Sequence, residues 1–231
     1  MTSTPKPIVI ISFDHTCDRR SNEIVFDALT KADIRPTFYI QTGLIGSRHW
    51  RATVADIQPL YDQGWDFGSH SVTHPRMSEL TPEQIEYEIR TADMFLADNK
   101  FVKGRRHFSY PQARTDDKVI GILKKYCDTG RIVTGELGKI NPTGDDWYKL
   151  DCLSMKAGQP TTRATDLVDQ AIEKELVAHI MFEAIFPEDP PEQAYLESDF
   201  RKIVDYIKNK RDLGEIQTMT VSEFFDSSNI K

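Results

Sequence analysis

Gly64–Pro75 reads GWDFGSHSVTHP, and its two halves ask for different structures. Trp65 and Phe67 are the apolar residues of a short buried strand, Gly68-Ser69 reads as a tight turn, and His70 and His74 follow four residues apart. Imidazoles at i and i+4 share a face when the segment turns helically, and can offer two nitrogens to one metal ion, zinc being the first expectation. The alternative is that they cap a loop and touch nothing. Barrels and open α/β sheets build their sites at the carboxyl ends of strands, so the rest of the chain is read for strands alternating with helices.

That alternation runs in both directions from the histidines. Upstream, Lys6–Phe13 (KPIVIISF) is a continuous β-branched run ending at Asp14-His15, a helix is expected over Asn22–Ala32, a strand at Arg35–Ile40 and a helix over Ala52–Asp62. Downstream, Thr81 before Pro82, with Gln84 three residues on, is a capping-box entrance to a helix running to about Asp98. Further strands are expected at Arg106–Tyr110, Ile132–Thr134, Tyr148–Leu153, Val177–Phe186 and Ile216–Met219. Helices are expected over Asp116–Tyr126, Thr165–Leu176, Ser198–Lys210 and Val221–Phe225, with Gly135–Trp147 as the longest irregular piece. About seven strand–helix units without a linker imply a parallel sheet curled into an α/β barrel, a single domain over 1–231 with 1–6 as a flexible tail.

With 28% charged residues and a net charge of −7 spread along the chain, no basic cluster suggests a nucleic-acid surface. Cys17, Cys127 and Cys152 lack any CxxC spacing, so neither a disulfide framework nor a cysteine zinc site is expected. No stretch has the length of a membrane span, and the N-terminus lacks the apolar core of an export signal. A cytoplasmic protein is expected as written, or a secreted or cell-surface one if a signal was removed.

A barrel gathers the residues just past each apolar run: Asp14 and His15, His70 and His74, Tyr110 to Gln112, and Glu183. His15 is a third metal ligand, or else a group that supports the ligands or caps a helix. Asp14 is either a general base on a water or a ligand itself. Glu183, inside VAHIMFEAIF, must face a polar cavity, be protonated, or pair with an arginine such as Arg106 or Arg114.

At these residues the chain resembles the polysaccharide deacetylase (NodB-homology) family. SFDH at 12–15 stands where family members carry TFDD, HSVTH is the complete H-(S/T)-x-x-H signature, and RPTFYI, SELTPEQIEYEI and DLGEIQTMTVSEFF are similar to family text. The resemblance implies a distorted (β/α)7-type barrel and metal-dependent, most simply zinc-dependent, removal of N- or O-acetyl groups from a glycan. By position it makes Asp14 the base, and His15, His70 and His74 the metal ligands. Three departures stand out. His15 replaces a ligand aspartate. SYPQA replaces an R-x-P-Y-G-like segment, which puts Ser109 at the place of the base-orienting arginine and leaves Arg106 or Arg114 to reach the base. It also puts Gln112 at the tyrosine place, where its backbone N–H would hold the oxyanion. Glu183 stands where the family has its general-acid histidine, with His179 in the same strand read as out of register by alternation. Asp145-Asp146-Trp147 resembles the DxxDW-like region only loosely and reads as a solvated loop. Alternatives are hydrolysis of a cyclic amide or imide on the same scaffold, and a glycan-binding barrel with little or no turnover.

Overall fold

β1 (Ile8–His15) sets the architecture through its alternation. Val9, Ile11 and Phe13 pack outward into one apolar cluster with helix residues, while Ile8 and Ile10 face inward into another, and Ser12 and Asp14 continue that inner face as polar groups. The computed structural model describes residues 6–15 and 18–229. Cys17 and all of the expected tail except Lys6 lie outside them.

The chain continues through α1 (Arg19–Ala32), β2 (Thr37–Ile40), α2 (Val54–Asp62), β3 (Asp66–Ser69), α3 (Pro82–Asp98), β4 (His107–Ser109), α4 (Asp117–Leu123) and β5 (Thr129–Arg131). β6 (Leu153–Ser154), α5 (Thr162–Lys174), β7 (Val177–Phe182), β8 (Ile185–Phe186), β9 (Tyr195–Leu196), α6 (Glu197–Asp212), β10 (Gln217–Thr218) and α7 (Val221–Asn229) complete it. The strands pair in the order β5-β4-β3-β2-β1-β7-β6, all parallel. β10 fills the lower part of β1 below the start of β2. The segment entering β6 bonds back to β5, with Leu150 N–H on Gly130 C=O at 2.9 Å and Ile132 N–H on Leu150 C=O at 2.8 Å. The sheet therefore curls back on itself as a distorted barrel of seven strands in one domain.

The outer shell is aromatic: Phe13, Phe38, Phe182 and Phe200 are all buried, with ring centroids 5.1 to 5.9 Å apart. Each such ring contributes about 1.5 to 3 kcal/mol relative to an exposed one. Ile8, Ile10, Val177, Trp147, Val221 and Phe224 plug the lower end. Above that plug the interior turns polar, which is what positions the site.

The expected α3 entrance is present, with Thr81 N–H on Gln84 Oε1 at 2.9 Å and Gln84 N–H on Thr81 Oγ1 at 3.3 Å. The inward residues expected of the last long helix, Phe200, Ile203, Val204 and Ile207, are buried on α6. Cys127 and Cys152 are buried free thiols. Two strands differ. β5 is Thr129–Arg131 and not Ile132–Thr134, because its inner face carries Arg131 and its outer face needs Gly130, where an added Cβ would lie 2.3 Å from Tyr110 Oη. The run Val177–Phe186 breaks after Phe182, so Glu183 follows a strand and does not sit inside one.

Candidate metal centre and catalytic cleft

His15 ends β1, His70 immediately follows β3, and His74 lies in the loop beyond it. The expected helical turn between His70 and His74 is absent. Left-handed backbone at Ser71 (φ 64) and His74 (φ 61) folds the loop back instead, bringing the two ring centroids to 4.7 Å. The loop is held by a residue that the sequence did not single out. Glu88, buried on α3, accepts Val72 N–H at 2.8 Å, Thr73 N–H at 2.9 Å and Thr73 Oγ1–H at 2.6 Å. Gly43 adds a second support: its N–H bonds Val72 C=O at 3.1 Å, and a Cβ there would meet that oxygen at 2.5 Å.

The three imidazoles each present a donor atom, all within 4.8 Å of one another. His15 Nδ1 is 2.9 Å from Gln41 Oε1, and His70 Nδ1 donates to Ser109 C=O at 2.8 Å. Both therefore offer Nε2 to the cluster, the arrangement by which outer partners fix metal-binding histidines. Burial drives His70 down to about 3 and also lowers His74, so both rings are neutral near pH 7 with lone pairs available. Zinc takes neutral imidazole nitrogens as donors, and three of them gathered within 4.8 Å of one another suit such an ion.

Asp14 stands beside this trio, its Oδ2 3.8 Å from His70 Nε2. Neither Arg106 nor Arg114 orients it: Arg106 pairs with Asp128 at 2.6 Å, and Arg114 is exposed. The arginine that does is Arg131 on β5, fully buried, whose guanidinium bonds both Asp14 Oδ2 and Ser109 Oγ, and Cys152 Sγ at 2.7 Å. Ser109 Oγ in turn donates to Asp14 Oδ2 at 3.3 Å. A small residue at 109 leaves the space through which Arg131 reaches from the neighbouring strand. Burial alone would raise the Asp14 carboxyl, but Arg131, then His70 and His15, outweigh it and hold it below the usual range. Its second oxygen, Oδ1, is buried without a hydrogen-bond partner among the described residues.

A cavity of about 460 Å³ opens over these groups, and Gln112, Lys156 and Glu183 complete its wall. Glu183 is half-buried and makes no ion pair among the described residues, so the expected alternative of a partner in Arg106 or Arg114 falls away. Burial raises its carboxyl, assisted by Asp14 and opposed by His15, Lys156 and Arg131. His179 is not displaced by alternation, since four residues are two full pleats and it shares the inner face. It lies about 13 Å lower along the strand, bonded through Nε2 to Ser12 Oγ at 2.8 Å. Gln112 has left-handed backbone (φ 56), its side chain accepts Arg76 Nε–H at 2.9 Å, and no acceptor among the described residues takes its N–H. Asp145 and Asp146 pair with Lys124 and Lys139 at the surface away from the cavity, but Trp147 beside them is buried against Phe224 and Phe225.

Backbone strain collects here. Of nine non-glycine residues with positive φ among the described residues, His15, Ser71, His74, Gln112 and Ala113 belong to this site. Such conformations persist only where surrounding contacts impose them.

Comparison with known proteins gives three kinds of likeness. The family model described as polysaccharide deacetylase matches residues 2–127. A protein of Geobacillus stearothermophilus, described as an uncharacterized 30.6 kDa protein, is 22% identical over 122 residues, which span 52% of this chain and 44% of that one. The match thus covers less than half the length of that relative. Among solved structures, the Xyl-CE4 domain of a multidomain xylanase from the hindgut metagenome of Trinervitermes trinervoides superposes with a TM-score of 0.66 at 15% identity, covering 98% of this chain and 93% of that one. A family 4 acetyl xylan esterase from Clostridium thermocellum, in complex with a cobalt ion, gives 0.66 at 19%, covering 97% and 93%. A family 4 carbohydrate esterase from Streptomyces lividans, in complex with acetate, gives 0.61 at 17%, covering 92% and 91%. At these identities the likeness is one of fold.

Proposed function

The chain belongs to the polysaccharide deacetylase family, and from that premise we propose that it is a metal-dependent hydrolase that removes the acetyl group from an N-acetylated sugar of a glycan, with O-acetyl esters as the related substrate. The observation that carries this reading is the unpartnered Oδ1 of Asp14, buried beside three imidazoles that share one focus. A divalent cation, zinc by its donor set, would be held by His15, His70 and His74 and would supply Lewis-acid activation of water and acetyl carbonyl.

The protein's own groups divide the remaining work. Asp14, kept ionised by Arg131, takes a proton from the attacking water through Oδ1. The Gln112 N–H, without an internal acceptor, donates to the carbonyl oxygen as it gains charge. Glu183, its carboxyl raised by burial, delivers a proton to the departing amine. The Arg131 contact supports turnover over a purely glycan-binding barrel, because it supplies the base-orienting cation missing at Ser109. The test is acetate release from N-acetylated oligosaccharides by the zinc-loaded chain before and after chelation, with ring amides as a control. Release that stops with chelation and returns with metal is expected. Turnover of ring amides without acetate release would transfer the reading to cyclic amides, and metal binding with no turnover of either would leave a binding barrel.

A further inference from the structure

Among the described residues four lysines are half-buried: Lys103, Lys156, Lys208 and Lys210. Three of them have a carboxylate partner, Asp66 for Lys103 at 3.6 Å, Asp212 for Lys208, and Glu215 for Lys210 at 2.9 Å. Lys156 has none, and it is the one that lines the cavity over the histidines. A half-buried lysine that faces a cavity with no carboxylate at ion-pair distance buries its stem and keeps its ammonium available to an anion from outside.

We propose that Lys156 anchors a carboxylate on the substrate, so that the acetylated sugar unit is itself acidic or adjoins an acidic unit. The proposal deepens the deacetylase reading and rests on it for the reaction, though not for binding. The backbone that carries the anchor is fixed, since Met155 N–H bonds Met181 C=O at 2.9 Å, Lys156 N–H bonds Gln159 Oε1 at 3.0 Å and Ala157 N–H bonds Glu192 C=O at 3.2 Å. Only the side chain itself is left to be ordered when a ligand arrives. Glu183 faces the same cavity, close enough to feel Lys156 but outside ion-pair distance, so the space between them belongs to the ligand.

Charge points the same way. Asp14 and Arg131 cancel, and burial works against Glu183 as a counter-charge, so Lys156 stands as the cationic side of the cavity in a chain of net charge −7. A bound cation would add to that field, and a cleft of one sign concentrates ligands of the other. A carboxylate is favoured over a phosphate because Lys156 is the one lysine or arginine among the described residues lining the cavity, enough to balance a single negative charge but not a doubly charged phosphate. Here Arg131 is committed to Asp14, and Arg76 to Gln112 and Glu79.

Binding of three probes to the full-length, zinc-supplied chain tests this by calorimetry. They are N-acetylmuramate, with its carboxylate on the acetylated unit, a hyaluronan tetrasaccharide, with it on the neighbouring unit, and neutral chitotriose. At least one acidic probe is expected to bind about tenfold or more tightly than chitotriose, the scale of one charge-assisted hydrogen bond, and which one does so locates the carboxylate. Lys156→Gln should bring that ratio to about one, Lys156→Arg should keep most of it, and Lys156→Glu should invert it. A wild-type ratio near one, a ratio that survives in Lys156→Gln, or no binding of any probe overturns the proposal. Acetate release from the same probes separates the two readings. Discrimination in binding without release sinks the deacetylase reading alone, and release without discrimination sinks the carboxylate anchor alone.

Discussion

The two walls of the cavity are built on opposite principles. On the side of β1, β3, β4 and β5 the side chains are oriented by partners inside the protein, His15 by Gln41, His70 by Ser109, and Asp14 by Arg131 and Ser109, with Asp14 Oδ1 and Arg131 Nε left over. On the side of β6 and β7, Lys156 and Glu183 make no ion pair with any described residue or with each other. The first wall is preorganised, its orientations already set before anything binds, as metal coordination and proton abstraction need. The second keeps its charges available, as recognition and leaving-group protonation need. Substitutions on the first wall should therefore cost metal, stability or most of the rate, whereas those on the second should change rate or selectivity in an intact protein.

The largest effect belongs to the histidines. Losing an outer partner typically costs roughly 10- to 100-fold in metal affinity, and removing a donor costs more, so His70→Ala and His74→Ala should each empty the centre and abolish acetate release. Elemental analysis after dialysis measures this, and full occupancy in both variants would break the first wall's assignment. Asp14→Asn comes next, with turnover expected to fall by about 10² to 10⁴. Its metal content should stay near wild type, and loss of metal would make Asp14 a ligand.

Arg131→Met separates preorganisation from stability. It removes one half of a pair in which both side chains are buried, and stranding a buried charge in this way typically costs about 3 to 5 kcal/mol. Urea unfolding should show a midpoint lowered on that scale. A variant of unchanged stability would mean that Asp14 is satisfied without Arg131, and the contrast between the walls would weaken.

How much of this was legible in the sequence follows from the range of each interaction. HSVTH and the apolar runs are local patterns, so the strand order of events, the three histidines and the acidic groups at strand ends could be read directly. The geometry between His70 and His74 could not, because it depends on left-handed backbone and on Glu88, which sits beside Glu83 and Glu86 on an amphipathic helix. Arg131 was hidden for a stronger reason. It lies 117 residues from Asp14, in a strand reading Thr-Gly-Arg that carries no apolar periodicity, and only barrel closure sets the two face to face. The displaced β5 prediction is the same failure, since Ile132-Val133-Thr134 looks more like a strand than the residues that form one.

Glu183→Gln should have the smallest effect on rate and be the most informative about the second wall. Burial holds its carboxyl above the ordinary range, so the protonated form persists to higher pH than for an exposed glutamate. If that form delivers the proton to the amine, turnover should fall as pH rises through the raised pKa, giving the alkaline limb of the rate profile. Glutamine cannot transfer a proton, so the variant should lose at least about tenfold in kcat and lose that limb. Stability should move the other way. A carboxyl whose folded pKa lies above its unfolded value favours the folded state fully below the unfolded pKa, and that support is lost as pH rises through the folded one. At neutral pH the wild type therefore carries a cost that glutamine lacks, so Tm should rise slightly near pH 7 and the gap should close below pH about 4, where both forms are neutral. A rate profile unchanged by Glu183→Gln, with Tm raised as expected, would confine Glu183 to the electrostatics of the cavity wall and leave protonation of the amine to another group.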